Sequence, residues 1–83
     1  MAISSMIVKP RIASVEQVTG LLAGMKGVSV HAVTDRQEII IVVEAASLNL
    51  INETARCIGA QPGVLGVFPA YITMADEEAT TVN

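Results

Sequence analysis

The stretch Glu38-Ile39-Ile40-Ile41-Val42-Val43-Glu44 sets two acids around five consecutive β-branched aliphatic residues. Such side chains favour the pleated surface of a strand. Strand side chains alternate at period 2, so Ile39, Ile41 and Val43 form one wholly apolar set. Glu38, Ile40, Val42 and Glu44 form the other. The first set is expected to face a core. The second mixes acids with aliphatics, which a strand with an ordinary solvated face would not do.

Working outward, Val28 to Val33 reads as a preceding strand. Asp35-Arg36-Gln37 turns the chain between the two, making a hairpin. Before it, Ser14 and Gln17 form a capping-box pattern, and Val15, Val18, Leu21, Leu22 and Met25 recur at helical spacing. Gly24 and Gly27 are suited to end that helix. Ile3 to Val8, closed by Pro10, reads as the first strand. After the central stretch, Ser47 is expected to cap a second helix with the inner stripe Leu48, Ile51, Ala55 and Ile58. Gln61-Pro62-Gly63 stops it, and Val64 to Ile72 reads as a last strand. Residues 74–83 read as an acidic, Thr-rich, flexible tail to a single domain over 1–73.

The order β-α-β-β-α-β, with right-handed crossovers, predicts an α+β fold: the ferredoxin-like split β-α-β sandwich. Its four antiparallel strands run 4-1-3-2, with both helices on one face. Pro69 supports this order, because proline cannot donate to a ladder and belongs on an edge strand.

Parity sorts the remaining strands. Ser4, Met6, Val8, Val28, Val30, Ala32, Leu65, Val67 and Tyr71 are expected under the helices. Ser5, Ile7, Lys9, Ser29, His31, Val33, Gly66, Phe68, Ala70 and Ile72 are expected on the open side. That side would hold an apolar patch of Ile7, Ile40, Val42, Phe68 and Ile72, rimmed by Lys9, Glu38 and Glu44. Contiguous exposed apolar surface marks a partner site. The residues alone leave a ligand peptide and a second copy of the chain open as the occupant.

Composition narrows the partner. Of 83 residues, 52% are hydrophobic, yet there is one Phe, one Tyr and no Trp, so the core must be aliphatic. Net charge is −3, and Lys9, Arg11, Lys26, Arg36 and Arg56 are scattered. Phosphate neutralisation needs clustered cations, which argues against nucleic acid. An acidic surface suits a basic partner. Ile39 to Val43 falls far short of the roughly 20 residues of a membrane span, so no membrane insertion is expected. MAISSMIVKP lacks the features of a signal peptide, and the single Cys57 fits a reducing compartment, so the expected location is the cytoplasm.

No catalytic or metal-binding set can be assembled. His31 has no ligand at metal spacing, and Cys57 has no C-x-x-C companion and reads as an at least half-buried helix residue. Gly20, Gly24 and Gly27 lie late in a helix, whereas phosphate loops precede one. Arg11 alone is a weak basis for an anion-gripping loop. The chain is therefore expected to be a binding protein with no cofactor, not an enzyme.

Ile3–Val8 (ISSMIV), Ile39–Ala45 (IIIVVEA) and Gly63–Tyr71 (GVLGVFPAY) together resemble the NapD family, cytoplasmic chaperones of the periplasmic nitrate reductase catalytic subunit. The likeness covers nearly the whole chain, although Phe68-Pro69 stands where relatives are expected to carry small or aliphatic residues. The resemblance implies a ferredoxin-like fold that binds the twin-arginine signal peptide of the reductase and delays export until cofactor insertion. It implies a peptide site of Ser5, Ile7, Lys9, Glu38, Ile40, Val42, Glu44 and Phe68. Apolar residues would dock on Ile40 and Val42, and the arginines would meet Glu38, Glu44 or the tail acids. A weak homodimer is compatible with the same face. The competing reading is an ACT-like regulatory module that dimerises and binds a small molecule. The turn Lys9-Pro10-Arg11-Ile12 lacks the Gly-rich or Asp-containing character of that class.

Overall fold

The computed structural model describes the backbone of residues 1–74 and the side chains of residues 1–70; the acidic segment 75–83 lies outside the described residues. In chain order the elements are β1 (Ala2–Pro10), α1 (Val15–Ala23), β2 (Val28–Val33), β3 (Ile39–Ala45), α2 (Leu48–Gly59) and β4 (Val64–Met74). The strands form one antiparallel sheet in the order β2-β3-β1-β4, which is 4-1-3-2 read from the other edge. The arrangement is α+β and fits a ferredoxin-like fold. Pro69 does lie on an edge strand.

Burial alternates along the two central strands. Ile39, Ile41 and Val43 of β3 are buried, as are Ala2, Ser4, Met6 and Val8 of β1. They join Val18 and Leu22 of α1 and Ile51 and Ile58 of α2 in one core cluster, so both helices cover the same sheet face. The intervening Ile40, Val42, Ser5 and Ile7 are only half-buried. Each fully buried aliphatic contributes on the order of 1.5–3 kcal/mol. With no large aromatic in the core among the described residues, the parity of these two strands carries the fold.

The helix caps divide. Ser47 caps α2 as expected, its Oγ accepting from the Leu50 N–H at 3.2 Å. Ser14 makes no side-chain cap bond, so the expected capping box does not form. A 3-10 turn over Ile12–Ser14 leads into α1 and holds Ser14 at φ −112°, ψ 7°, outside the extended geometry of a capping residue. Leu48 is 39% exposed, not part of the inner stripe. Three residues before Ile51 it falls about 60° short of a full helical turn. Cys57 is exposed, not half-buried, on the outer side of α2.

Three irregularities in pairing change face assignments at the sheet edges. His31 is the extra residue of a bulge in β2, after which Ala32 pairs with Ile40 and Val33 with Ile39. Ala32 thus takes the open-face register and Val33 the helix-side register, the reverse of simple alternation. In β4 the register shifts between Ser5 and Met6, pairing Tyr71 with Ser5 and Ile72 with Ser4, again the reverse of expectation. A second shift near Pro10 leaves Leu65 63% exposed where it was expected in the core.

Two glycines are required by close approach. Gly27 has φ +80°, and a Cβ there would sit 2.6 Å from the Glu44 carbonyl oxygen. Gly63 has φ +89°, and a Cβ would meet Ser14 at 2.9 Å. Its carbonyl accepts from the Arg11 N–H at 2.7 Å, tying the first loop to the start of β4.

Two outcomes test this core. Ile41→Ser should destabilise the protein by about 2–5 kcal/mol in urea unfolding, through a lost core side chain and a buried hydroxyl. Gly27→Ala should cost more than about 1 kcal/mol in the same measurement. Near-wild-type stability of Ile41→Ser would mean that the strand parity is reversed.

Candidate functional site

The uncovered sheet face is built from the half-buried parity of the central strands. Ile40 of β3 stands between Ala32 of β2 and Ile7 of β1, and Ile7 is in turn paired with Phe68 of β4. Directly paired residues share a face and touch. The result is a transverse apolar row, Ala32-Ile40-Ile7-Phe68, crossing all four strands. The next row toward the far end of β3 is Ser29-Val42-Ser5, a more polar strip, with Tyr71 at the register position opposite Ser5 on β4. Beyond it, Glu44 stands opposite Ile3.

Seven of the expected site residues, Ser5, Ile7, Lys9, Glu38, Ile40, Val42 and Phe68, gather on this face or its rim. Glu44 stands at the opposite end of β3, exposed. Ile3 and Ala32 join the face and were not anticipated. Ile3 could have been found, since it shares parity with Ser5 and Ile7. Ala32 could not, because it arrives through the bulge at His31. The expected contribution of Ile72 is replaced by Tyr71 at the register position opposite Ser5.

Each acidic end is fixed by backbone. At the Glu38 end, the Thr34 N–H donates to the Glu38 carbonyl at 2.8 Å, and Thr34 Oγ1 accepts from the N–H groups of Glu38 and Arg36, each at 3.2 Å. Gln37, at φ +66°, completes the tight turn. At the other end, the Glu44 N–H donates to the Gly27 carbonyl at 2.8 Å. Six residues of strand separate the two acids, about 20 Å.

The two ends differ in chemistry. Glu38 Oε2 lies 3.7 Å from Lys9 Nζ, with the carboxylate side chain 25% and the lysine side chain 53% exposed. Lys9 is paired on its other side with Gly66. The Phe68 ring rests over that glycine: a Cβ on Gly66 would be 2.9 Å from the ring Cζ and 3.0 Å from Cε2. An acid, a cation and an aromatic ring thus lie side by side on three strands. Glu44 instead lines a cleft of about 770 Å³ with Lys26, Ala45, Ala46, Leu50 and Thr54.

Among the described residues, no group of His, Cys, Asp and Glu is placed to hold a metal ion. Nor is any helix among them long and apolar enough to cross a membrane. The face offers apolar contact, carboxylates on backbone-anchored residues and a ring.

A family model described as "NapD protein" matches residues 1–76. The solution structure of the E. coli Tat proofreading chaperone protein NapD is similar, with a TM-score of 0.74 and 24% sequence identity. That likeness covers 98% of this chain and 86% of the other. No curated protein sequence matches the chain at a significant level.

The resting place of the ring has its own test. Nuclear Overhauser contacts are expected between the Gly66 α-protons and the Phe68 ring protons. Gly66→Ala should turn the ring aside at a cost within about 1 kcal/mol, because only the exposed end of a side chain must move. Absence of those contacts in the wild type would show that the ring lies elsewhere.

Proposed function

We propose, from the premise that the chain belongs to the NapD family, that it is a chaperone for the twin-arginine signal peptide of a periplasmic nitrate reductase catalytic subunit. In this reading it acts in the cytoplasm, carries no cofactor and does no chemistry. Its binding holds back export until the subunit has received its cofactor. The role printed for the E. coli neighbour, a Tat proofreading chaperone, supports the reading.

The observation that carries it is the uncovered sheet face: an apolar row of Ile40, Ile7 and Phe68 with fixed carboxylates beyond it. A twin-arginine peptide joins two adjacent cations to an apolar stretch. Its apolar residues would remove Ile40, Ile7, Val42 and the Phe68 ring from water, worth roughly 25 cal/mol per Å² of apolar area. Ser5 would offer a hydroxyl between the strips. Because the acids are about 20 Å apart, two neighbouring arginines can engage one end only, and the rest of the peptide crosses the face. The net charge of −3 favours such a basic ligand.

Calorimetric titration with a synthetic twin-arginine peptide tests the reading. Binding is expected with a negative heat-capacity change, and with loss of affinity from low to physiological salt, where exposed charges are screened over about 8 Å. A twin-lysine or scrambled peptide that binds equally well would refute specific recognition. Ile40→Ser should keep the fold and weaken binding by about tenfold or more, the value of one aliphatic contact. Ile40→Ser that melts the protein would instead mark this face as core.

A further inference from the structure

We propose that Lys9 is a built-in competitor for the arginine-binding position: its ammonium occupies the Glu38 carboxylate in the free protein and must be displaced by the incoming guanidinium. The inference rests on the peptide-binding reading above and adds to it what an incoming cation must displace.

The geometry has the character of a displaceable pair. Lys9 Nζ meets a single carboxylate oxygen, Oε2, at 3.7 Å, beyond the 2.7–2.9 Å of a charge-assisted hydrogen bond. The lysine side chain is 53% exposed and the glutamate side chain 25%, so the acid is the better enclosed member and the cation the freer one. Glu38 is held at the backbone by the Thr34 turn on both its N–H and its carbonyl. Exposed pairs of this kind contribute little, because solvent screens them and the long side chain loses freedom. Lys9 is therefore easily removed, yet its charge must move aside before another cation can approach.

That requirement discriminates. A guanidinium presents a planar fork that can take both carboxylate oxygens, and it stacks on an aromatic ring better than an ammonium does. Arginine entering at Glu38 would gain a bidentate contact, with the Phe68 ring two strands away at Gly66 open to its neighbour in the pair. A lysine entering there must displace the same ammonium and regains only a contact of the kind it broke. Lys9 thus lowers the affinity of either cation, and the fork of arginine offsets that cost more fully.

Titration of Lys9→Met and Lys9→Gln with twin-arginine and twin-lysine peptides tests this, with thermal melts to establish the fold. Both variants are expected to bind the twin-arginine peptide about three- to tenfold more tightly than wild type, in keeping with loss of a weak exposed pair and of a like charge. The twin-lysine peptide should gain by no more than the same factor, so that the preference for arginine is kept or widened. In a Glu38→Gln background the Lys9 substitutions should have an effect less than half as large in log affinity. Unchanged or weaker binding by Lys9→Met and Lys9→Gln, a narrowed preference, or an equal gain without Glu38 overturns the proposal. Wild-type protein that binds no twin-arginine peptide would instead overturn the underlying reading of function.

Discussion

The structure depends on one constraint: the two central strands have a buried parity and an uncovered parity, and only the first is beneath helices. Ile39, Ile41 and Val43 on β3 and Met6 and Val8 on β1 fill the space under Val18, Leu22, Ile51 and Ile58. A one-residue slip of β3 would put Ile40 and Val42 inward and take Ile41 out. In most sheets such a slip is opposed by polar residues on the outer face. Here the outer face offers Ile40 and Val42, so the opposition must come from elsewhere. The two glutamates supply it, because a slip would carry Glu38 or Glu44 toward the helices, where an unpaired carboxylate is costly. The acids that bracket the strand therefore fix its register as well as its charge.

The same register is held at its ends by backbone geometry. Gly27 lets the α1–β2 loop approach Glu44 closely enough for a 2.8 Å hydrogen bond, and the Thr34 turn holds Glu38. Gly63 packs against Ser14 and receives the Arg11 N–H. In a core that is aliphatic among the described residues, these connections limit the freedom that such packing alone would leave.

How far the sequence could be read follows from which of its signals are local. Strand identity, the order of elements, the Ser47 cap and the parity of β1 and β3 were all legible, because period 2 and period 3.6 are carried by neighbouring residues. Strand order followed from handedness and the edge preference of Pro69. The bulges were not legible. Nothing about His31 marks it as an extra residue, and a single insertion reverses Ala32 and Val33; the shift in β4 does the same for Tyr71 and Ile72. Leu65 was assigned by alternation and is exposed for the same reason. Ser14 carried a valid capping signature, but the 3-10 turn before it took the backbone out of the geometry that cap requires. Within the sheet, errors of parity thus collect at the edges, where pairing has one neighbour to enforce it, and spare the centre, where it has two.

This division bears on the candidate site. Its central members, Ile7, Ile40, Val42 and Ser5, rest on strands paired on both sides and follow from alternation alone. Its outer members, Phe68 and Ala32, rest on edge strands where a bulge lies within two residues. A surface so arranged has a fixed middle and adjustable margins. Apolar contact at the middle is insensitive to ligand sequence, since any aliphatic side chain can cover Ile40 and Ile7. Selection must then arise at the margin, where Glu38, Lys9 and the Phe68 ring stand side by side across three strands. Separating adhesion from selection in this way requires the charged groups to be held more firmly than the cation that neutralises them. Glu38, its side chain three-quarters covered and its backbone anchored, faces an exposed lysine and meets that requirement.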